Sequence, residues 1–447
     1  MRTVSSLLLT ILVAGCATYS SSPLKDDPAV LAAPLASILE ARAGAIDRPW
    51  LKPTSIDLSA PLTPEGVAVL AVVNNPDLAA LRARSGVADA QVFAAGLLPD
   101  PTFSLGADNV LSGPDTMLGI ASSLGFNLNA LRTRGVTRQQ ARAEARKVRL
   151  DLAWSEWQTA GQARLQAARI GALERQVALD RASRESAQVM LDHMLRAAGR
   201  GDIAGDQVQG ARVAAFDAAE RLRNDEKELS AARLELARMI GFPPDQVLLL
   251  APPFLPPPPP PDAAILFAMA QKGRTDLQAL RAGYAAQEAA LHKAVLDQFP
   301  TLDLTVNTAR DTAGNVTVGP AVAFTLPLWN RNRGGIAVER ATRAALKAEY
   351  DARLFQTRAE ISAALAGVTL SRRQRDAVLA SLPAARRFAA ANRRAADRGD
   401  LSLATAATAE QALRDKELQL AQAERDIAEQ TIALELLIGT PQETWTP

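Results

Sequence analysis

Two histidines, His193 and His292, and one cysteine, Cys16, are the whole supply of imidazole and thiol groups in 447 residues. A zinc site draws three or four ligands from His, Cys and carboxylates, and a histidine-dependent triad needs a positioned imidazole. His193 and His292 both fall inside helix-periodic stretches, where a surface or groove role is the simpler reading. A carboxylate-dependent hydrolase would need a constellation of acids, but here they are spread along helices and interleaved with arginine, as on a solvated face. The sequence therefore points away from an enzyme, a metal site or a bound cofactor. One further motif asks for an explanation. Arg-Gly-Asp occurs at Arg200, Gly201 and Asp202 and again at Arg398, Gly399 and Asp400, 198 residues later. It could be an adhesion signal, a coincidence, or one position of a duplicated fold.

Composition narrows the setting. The chain is 48% hydrophobic and 22% charged, with 50 basic against 48 acidic side chains, which describes a folded protein with no net electrostatic bias. A formal charge of +2 gives no case for nucleic acid, which calls for a concentrated basic face. Aromatics are only 4%, while Ala, Leu, Arg and Gln abound, a mixture that favours long helices.

The N-terminus MRTVSSLLLTILVAGCATYS has one positive charge, a short apolar run and then small residues, the pattern of a secretory leader and too short for a membrane span. Leu12-Val13-Ala14-Gly15-Cys16 resembles the bacterial lipobox, so residues 1–15 read as a lipoprotein signal peptide and Cys16 as the lipidated first residue. Several acyl chains on one cysteine give stable anchoring. Ala17 follows where an Asp would resemble an inner-membrane retention signal, so sorting to the outer membrane is expected.

A duplication organises the rest. Residues 75–105 align without gaps to 274–304, with twelve of 31 positions identical, Asp77/Asp276, Leu81/Leu280, Arg82/Arg281 and Pro101/Pro300 among them. Further on the offset becomes 198 and pairs Phe126 with Phe324, Arg200-Gly201-Asp202 with Arg398-Gly399-Asp400, and Ile240-Gly241 with Ile438-Gly439. The expected organisation is an extended segment over 16–60, a first repeat over 61–242, a linker over 243–262, a second repeat over 263–440 and a tail over 441–447. Pro256–Pro261 predict a polyproline II spacer of about 19 Å.

Each repeat reads as helix, β-hairpin, very long helix, turn and returning helix. Hairpins are expected over 102–128 and 301–327, and tips over 199–204 and 397–402. Leu302, Leu304 and Val306 alternate with Asp303, Thr305 and Asn307. After a turn, Val322, Phe324 and Leu326 alternate with Ala321, Ala323 and Thr325. Phe103, Leu105, Leu124 and Phe126 do the same in the first repeat against small or polar neighbours. Apolar-out, polar-in alternation over about ten residues is the pattern of a transmembrane β-strand, although a half-buried soluble sheet alternates too. The nine apolar residues Phe103, Leu105, Leu124, Phe126, Leu302, Leu304, Val322, Phe324 and Leu326 are expected to face lipid. Val136 to Ala198 is helix-compatible throughout, about 95 Å at 1.5 Å per residue. Gly241 before Pro243, and Gly439 before Pro441, read as helix C-caps. Four strands cannot close a membrane barrel and open edges are excluded from lipid, so a spanning barrel would be shared between chains. A plain helical rod leaves the hairpins without a purpose.

NNPDLAALRA with AGLLPDPTFSL, RTDLQALRAGY with FPTLDL, and VAFTLPLWNRNRGGIAVERA together resemble the TolC-like outer-membrane efflux proteins, over about residues 60–440. AGLLPDPTFSL looks most like the heavy-metal, CzcC-type branch. The resemblance implies a mainly α fold with a small transmembrane β part. It further implies a homotrimer with a twelve-stranded β-barrel in the outer membrane and a twelve-helix tunnel through the periplasm. The implied partners are a periplasmic membrane-fusion adaptor and an inner-membrane pump of the resistance–nodulation–division type. The implied role is a passive exit duct for metal ions or small toxic compounds. A type I protein secretion duct and a non-pore periplasmic lipoprotein scaffold are the alternatives. The family's tip motif places Gly201 and Gly399 first and Ala211 and Ala409 ten residues on. Its acidic positions are occupied by Gln207 or Thr405 and by Gly210 or Thr408. The adaptor-docking tip would comprise Arg200, Gly201, Asp202, Arg398, Gly399 and Asp400, and Asp202, Asp206 and Asp400 are candidates for an acidic mouth or gate. Asp202 and Asp400 are also read as N-caps of the returning helices.

Overall fold

The computed structural model describes residues 19–24, 31–114, 117–246, 248–251 and 258–445. Cys16, the rest of the leader, and Pro256 and Pro257 of the proline run lie outside the described residues. The first repeat comprises α1 (Ala36–Gly44), α2 (Pro64–Asn74), α3 (Pro76–Ala94), β1 (Thr102–Asp108), β2 (Gly119–Asn127), α4 (Asn129–Gly199) and α5 (Gly205–Ile240). The second comprises α6 (Ala263–Gly273), α7 (Thr275–Leu296), β3 (Leu302–Arg310), β4 (Val316–Phe324), α8 (Arg333–Asp397) and α9 (Leu403–Ile438).

Helix α4 runs for 71 residues, about 107 Å. Asn127 starts it by accepting the Ala130 N–H on Oδ1 at 3.1 Å, and no proline interrupts it. Its end is a Schellman turn: the Gly201 N–H reaches the Ala198 carbonyl at 3.0 Å and the Asp202 N–H reaches Ala197 at 2.9 Å. Gly201 carries the left-handed φ of +80° that this turn requires. Helix α8 ends identically, through Gly399 to Ala396 at 3.0 Å and Asp400 to Ala395 at 2.9 Å. One difference separates the two: α8 contains Pro383, and α4 has Glu185 at the matching place.

The returning helices stop at Gly241 and Gly439, with φ of +69° and +78°. Their last carbonyls, orphaned by the helix geometry, are met from the start of the next helix pair. Asn74 Nδ2 donates to the Ile240 carbonyl and Asn75 Nδ2 to Met239, both at 2.7 Å. In the second repeat Arg274 takes this task, donating from Nη1 to Leu437 at 3.1 Å. The same join is thus made by different residues in the two copies.

The four strands form one antiparallel sheet in the order β1-β2-β3-β4. Partners across antiparallel strands share a face, and the register pairs Phe103 with Leu124, Leu124 with Val306, Phe126 with Leu304, Leu304 with Val322 and Leu302 with Phe324. Eight of the nine residues expected to face lipid therefore lie on one face. Leu326 is the correction: β4 ends at Phe324, and Leu326 belongs to the segment leading to α8. The opposite face carries Thr102, Ser104, Ser123, Asn127, Asp303, Thr305 and Asn307, with Ser104 and Ser123 hydroxyls 2.7 Å apart.

The sheet has two open edges. The Leu302 carbonyl bonds toward β2 through the Leu128 N–H, and the Thr301 carbonyl bonds toward β4 through the Thr325 N–H. Backbone groups alternate sides along an antiparallel strand. Val316, Val318, Val322 and Phe324 therefore direct their amides away from β3, and Phe103, Leu105 and Ala107 direct theirs away from β2. Pro320 falls on that outer side of β4 and offers no N–H, the usual place for proline in a sheet.

The main apolar core lies beside the middle of α4, where α2 buries the unbroken run Gly66–Val72 against α4 and α5. Helix α9 approaches α4 so closely that a Cβ on Gly161 would overlap the Leu436 side chain. Inside this region Glu156 of α4 is 1% exposed. Arg48 donates to it from Nε at 2.5 Å and Nη2 at 2.9 Å, and Arg82 of α3 from Nε at 3.0 Å and Nη2 at 2.7 Å. Burial pushes the Glu156 carboxyl up, but hydrogen bonds and charge from both guanidiniums outweigh it and hold the group below its ordinary value. Asp276 is held down in the same way, against burial, by Arg274 and Arg353. Both clusters pin the short helices to the long ones.

Candidate channel-forming surfaces

Two surfaces stand at opposite ends of the long helices. One is the apolar face of the sheet, whose Phe103, Leu105, Val322 and Phe324 are exposed on the protomer. A contiguous apolar face of this size marks a membrane or protein contact. Among the described residues no helix is long and apolar enough to cross a membrane, a statement that leaves β-strands aside.

The other surface is the pair of turns at Arg200–Asp202 and Arg398–Asp400. Both hairpins start at the same end of the sheet, and α4 is tied to α9 by Arg164–Glu435 and Arg175–Glu424, each 2.8 Å. The two turns therefore point the same way, about 100 Å from the strands. Neither Asp202 nor Asp400 caps a returning helix. The N-cap of α5 is Ala204, and that of α9 is Ser402, whose hydroxyl accepts the Thr405 N–H at 3.1 Å. The aspartates instead occupy the residue after the glycine in each Schellman turn, too early for an N-cap. Their carboxylates fold back to accept Nε of Arg200 at 2.8 Å and of Arg398 at 2.9 Å. Asp206 lies in the first turn of α5, exposed, and accepts the Gln207 N–H at 2.9 Å. Exposed pairs of this kind contribute little. Asp202→Ala and Asp400→Ala are therefore expected to change stability by less than about 0.5 kcal/mol in denaturant titrations.

A groove of about 550 Å³ runs up from the turns between α4, α5 and α9. Gln207, Gly210, Ala211 and Thr408, four positions of the tip motif, line it together with Met190 and Met194. His193 lies on the exposed side of α4, its ring nitrogen 3.3 Å from the Arg196 guanidinium, and His292 is exposed on α7. Among the described residues no group of three His, Cys, Asp or Glu is placed to hold a metal ion.

Above the groove lies a buried acid that residue periodicity does not reveal. Asp180 of α4 is buried and faces Asp225 of α5, which also accepts Gln176 Nε2 at 2.7 Å. Burial first, then the hydrogen bond and charge of Asp225, push the Asp180 carboxyl up to about 7. Between the ordinary aspartate value and about 7 the folded protein holds a proton that the unfolded chain lacks, so stability falls as pH rises through that window. Asp180→Asn is expected to flatten this dependence. It should raise stability at pH 8 on the order of 2 kcal/mol, with no gain at pH 4, measured by urea unfolding at both pH values.

Fold and surfaces together define a class of protein: a duplicated subunit in which a membrane-type β-hairpin is mounted on each of two long helical hairpins. Residues 266–440 match the family model described as outer membrane efflux protein. No curated protein sequence matches the chain. Among solved structures it is similar to the outer-membrane channel OprN, at 17% identity and TM-score 0.69, covering 97% of this chain and 100% of that one. It is also similar to the CmeC outer membrane channel of Campylobacter jejuni, at 15% identity and TM-score 0.69, covering 89% and 91%. For CusC, described in connection with transmembrane channel formation, the values are 17%, 0.66, 85% and 92%. At these identities the likeness establishes the fold.

Proposed function

We propose that the protein is the outer-membrane exit duct of a tripartite efflux system. The observation that carries this reading is the single sheet with one apolar face, open at both edges, seated on helical hairpins of about 100 Å. In this reading β4 of one protomer pairs with β1 of the next, an antiparallel match, and three copies close twelve strands, above the minimum of about eight. The helices of three copies form the tunnel, the turns and the groove above them take a periplasmic adaptor, and lipid on Cys16 adds an anchor. The chain contains no phosphate-binding loop, so flow is passive and is driven by an inner-membrane pump. Metal ions or small toxic compounds are the cargo class. The mature chain's scarcity of soft ligands puts substrate choice in the pump.

The purified full chain, reconstituted in planar lipid bilayers, tests the proposal. Discrete conductance steps from a species of three chains are expected. A monomeric rod that leaves the bilayer sealed would overturn it in favour of a scaffold.

A further inference from the structure

Directly below the sheet, arginines are gathered without acids in this nearly neutral chain. Residues 129–143, the first four turns of α4, hold Arg132, Arg134, Arg138 and Arg142 and not one carboxylate. In the second repeat residues 325–338 hold Arg331 and Arg333 and no carboxylate, with Glu339 next in sequence. Among the described residues none of these six arginines is in an ion pair, although the helices further down are laced with them. The connecting segments beside them add only Asp100 and Asp297, and Asp297 is already paired with Lys293 at 2.8 Å.

The fold places the start of this band at one end of the sheet and carries it down α4, where Arg132 and Arg142 are about 15 Å apart along the axis. The start of β1, the end of β2, the start of β3 and the end of β4 all lie at one end of the sheet. The connections there are interlocked. Arg134 Nε donates to the Gly96 carbonyl at 2.8 Å, Arg132 donates to the Pro300 carbonyl at 3.2 Å and lies over the Phe299 ring, and Asn332 Nδ2 donates to Ala294 at 2.8 Å. Arg331 and Asn332 both take left-handed φ, +47° and +51°, uncommon for residues other than glycine. That corner leaves Trp329 86% exposed beside exposed Leu328. Leu97, Leu98 and Phe299 are exposed at the same level. The collar therefore combines exposed apolar and aromatic side chains at the end of the sheet with a band of guanidiniums outside any ion pair.

We propose that this collar docks the phosphate-bearing headgroups of an anionic lipid leaflet, with Trp329 at the boundary between acyl chains and headgroups. The proposal rests on the reading that the sheet lies in a membrane. Charge complementarity selects the occupant: guanidiniums bind phosphate through paired donors, tryptophan prefers the water–lipid interface, and a lipid leaflet presents both partners in this order. Arg138, Arg142 and Arg333 bear the test, because Arg132, Arg134 and Arg331 also hold backbone carbonyls.

The delipidated full chain in mixed detergent micelles is titrated with labelled phosphatidylglycerol or phosphatidylcholine. Wild type is expected to retain phosphatidylglycerol roughly tenfold better at 0.1 M salt, with the preference shrinking at 0.5 M. The triple variant Arg138→Gln, Arg142→Gln and Arg333→Gln should lose most of that preference. Trp329→Ala should weaken both lipids about equally. Equal retention of the two lipids by wild type, or a preference unchanged in the triple variant, overturns the proposal. Bilayer recordings separate this from the duct reading. If the triple variant shifts ion selectivity while its lipid preference stays intact, the arginines line the duct and the collar is not a lipid site. If wild type binds phosphatidylglycerol selectively but never conducts, the collar stands and the duct reading falls.

Discussion

Glu156→Leu is expected to lower the stability of the protein by about 3 kcal/mol at neutral pH. The carboxylate answers four guanidinium N–H groups from Arg48 and Arg82, and a leucine leaves both cations facing a desolvated apolar wall. The two arginines are about one-third exposed and regain some water, which keeps the loss at the lower end of the range for broken buried pairs. Glu156→Gln retains acceptors and should lose less. Because the folded carboxyl sits below its ordinary value of 4.5, its contribution is present above that pH and disappears as pH falls through the folded value. The gap between wild type and variant should accordingly close in acid. Urea midpoints of the full chain at pH 7 and pH 3 measure this, and a gap unchanged at pH 3 would contradict the electrostatic account.

Leu124→Arg carries the second large effect. Leu124 is in the middle of β2, between Phe103 and Val306 on the apolar face. A guanidinium at that depth of a bilayer destabilises a strand protein by about 2–4 kcal/mol. Ala121→Arg places the same charge on the opposite face, between Gly106 and Ala309, where water is expected. It should cost about 1 kcal/mol or less and shift the open channel toward anions. Folding into lipid vesicles under a urea series, with ion selectivity recorded in parallel, compares the two. Equal penalties for the two variants would show that the sheet does not separate lipid from water.

The contrast between these two predictions reflects what could be read from residues alone. The alternation in Leu302–Val306 and Val322–Phe324 fixes which side chains share a face, because a strand has a period of two and a one-residue error inverts it. The glycines of the two Arg-Gly-Asp turns and of Ile240-Gly241 and Ile438-Gly439 were equally legible, since a left-handed helix end selects glycine. Leu326 was misplaced because strand ends depend on pairing, which periodicity does not report. Asp202 and Asp400 were misread as caps because the Schellman turn uses two residues past the helix before the chain is free to begin another. Glu156, Arg274 and Asp180 were invisible. An acid on a helix or an arginine at a helix joint is usually solvated, and only the packing of another element, the Arg48 segment, α5 or α9, makes it buried. The identity of Arg82 with Arg281 between repeats was a hint, but the copies have diverged in use: Arg82 holds Glu156, whereas Arg281 donates to the Tyr350 hydroxyl.

The two unpaired edges of the sheet also constrain how the protein comes into being. Phe103, Leu105 and Ala107 on one side and Val316, Val318 and Val322 on the other turn their amides outward, and among the described residues no backbone carbonyl meets them. Hydrocarbon does not tolerate such groups, and water leaves them as a template for any passing strand. In the duct reading, partner encounter would precede or accompany entry into lipid, and the yield of assembled protein should rise steeply with chain concentration. Until those edges are paired the hairpins are an aggregation hazard, and the outer edge of β4 is blunted only at Pro320.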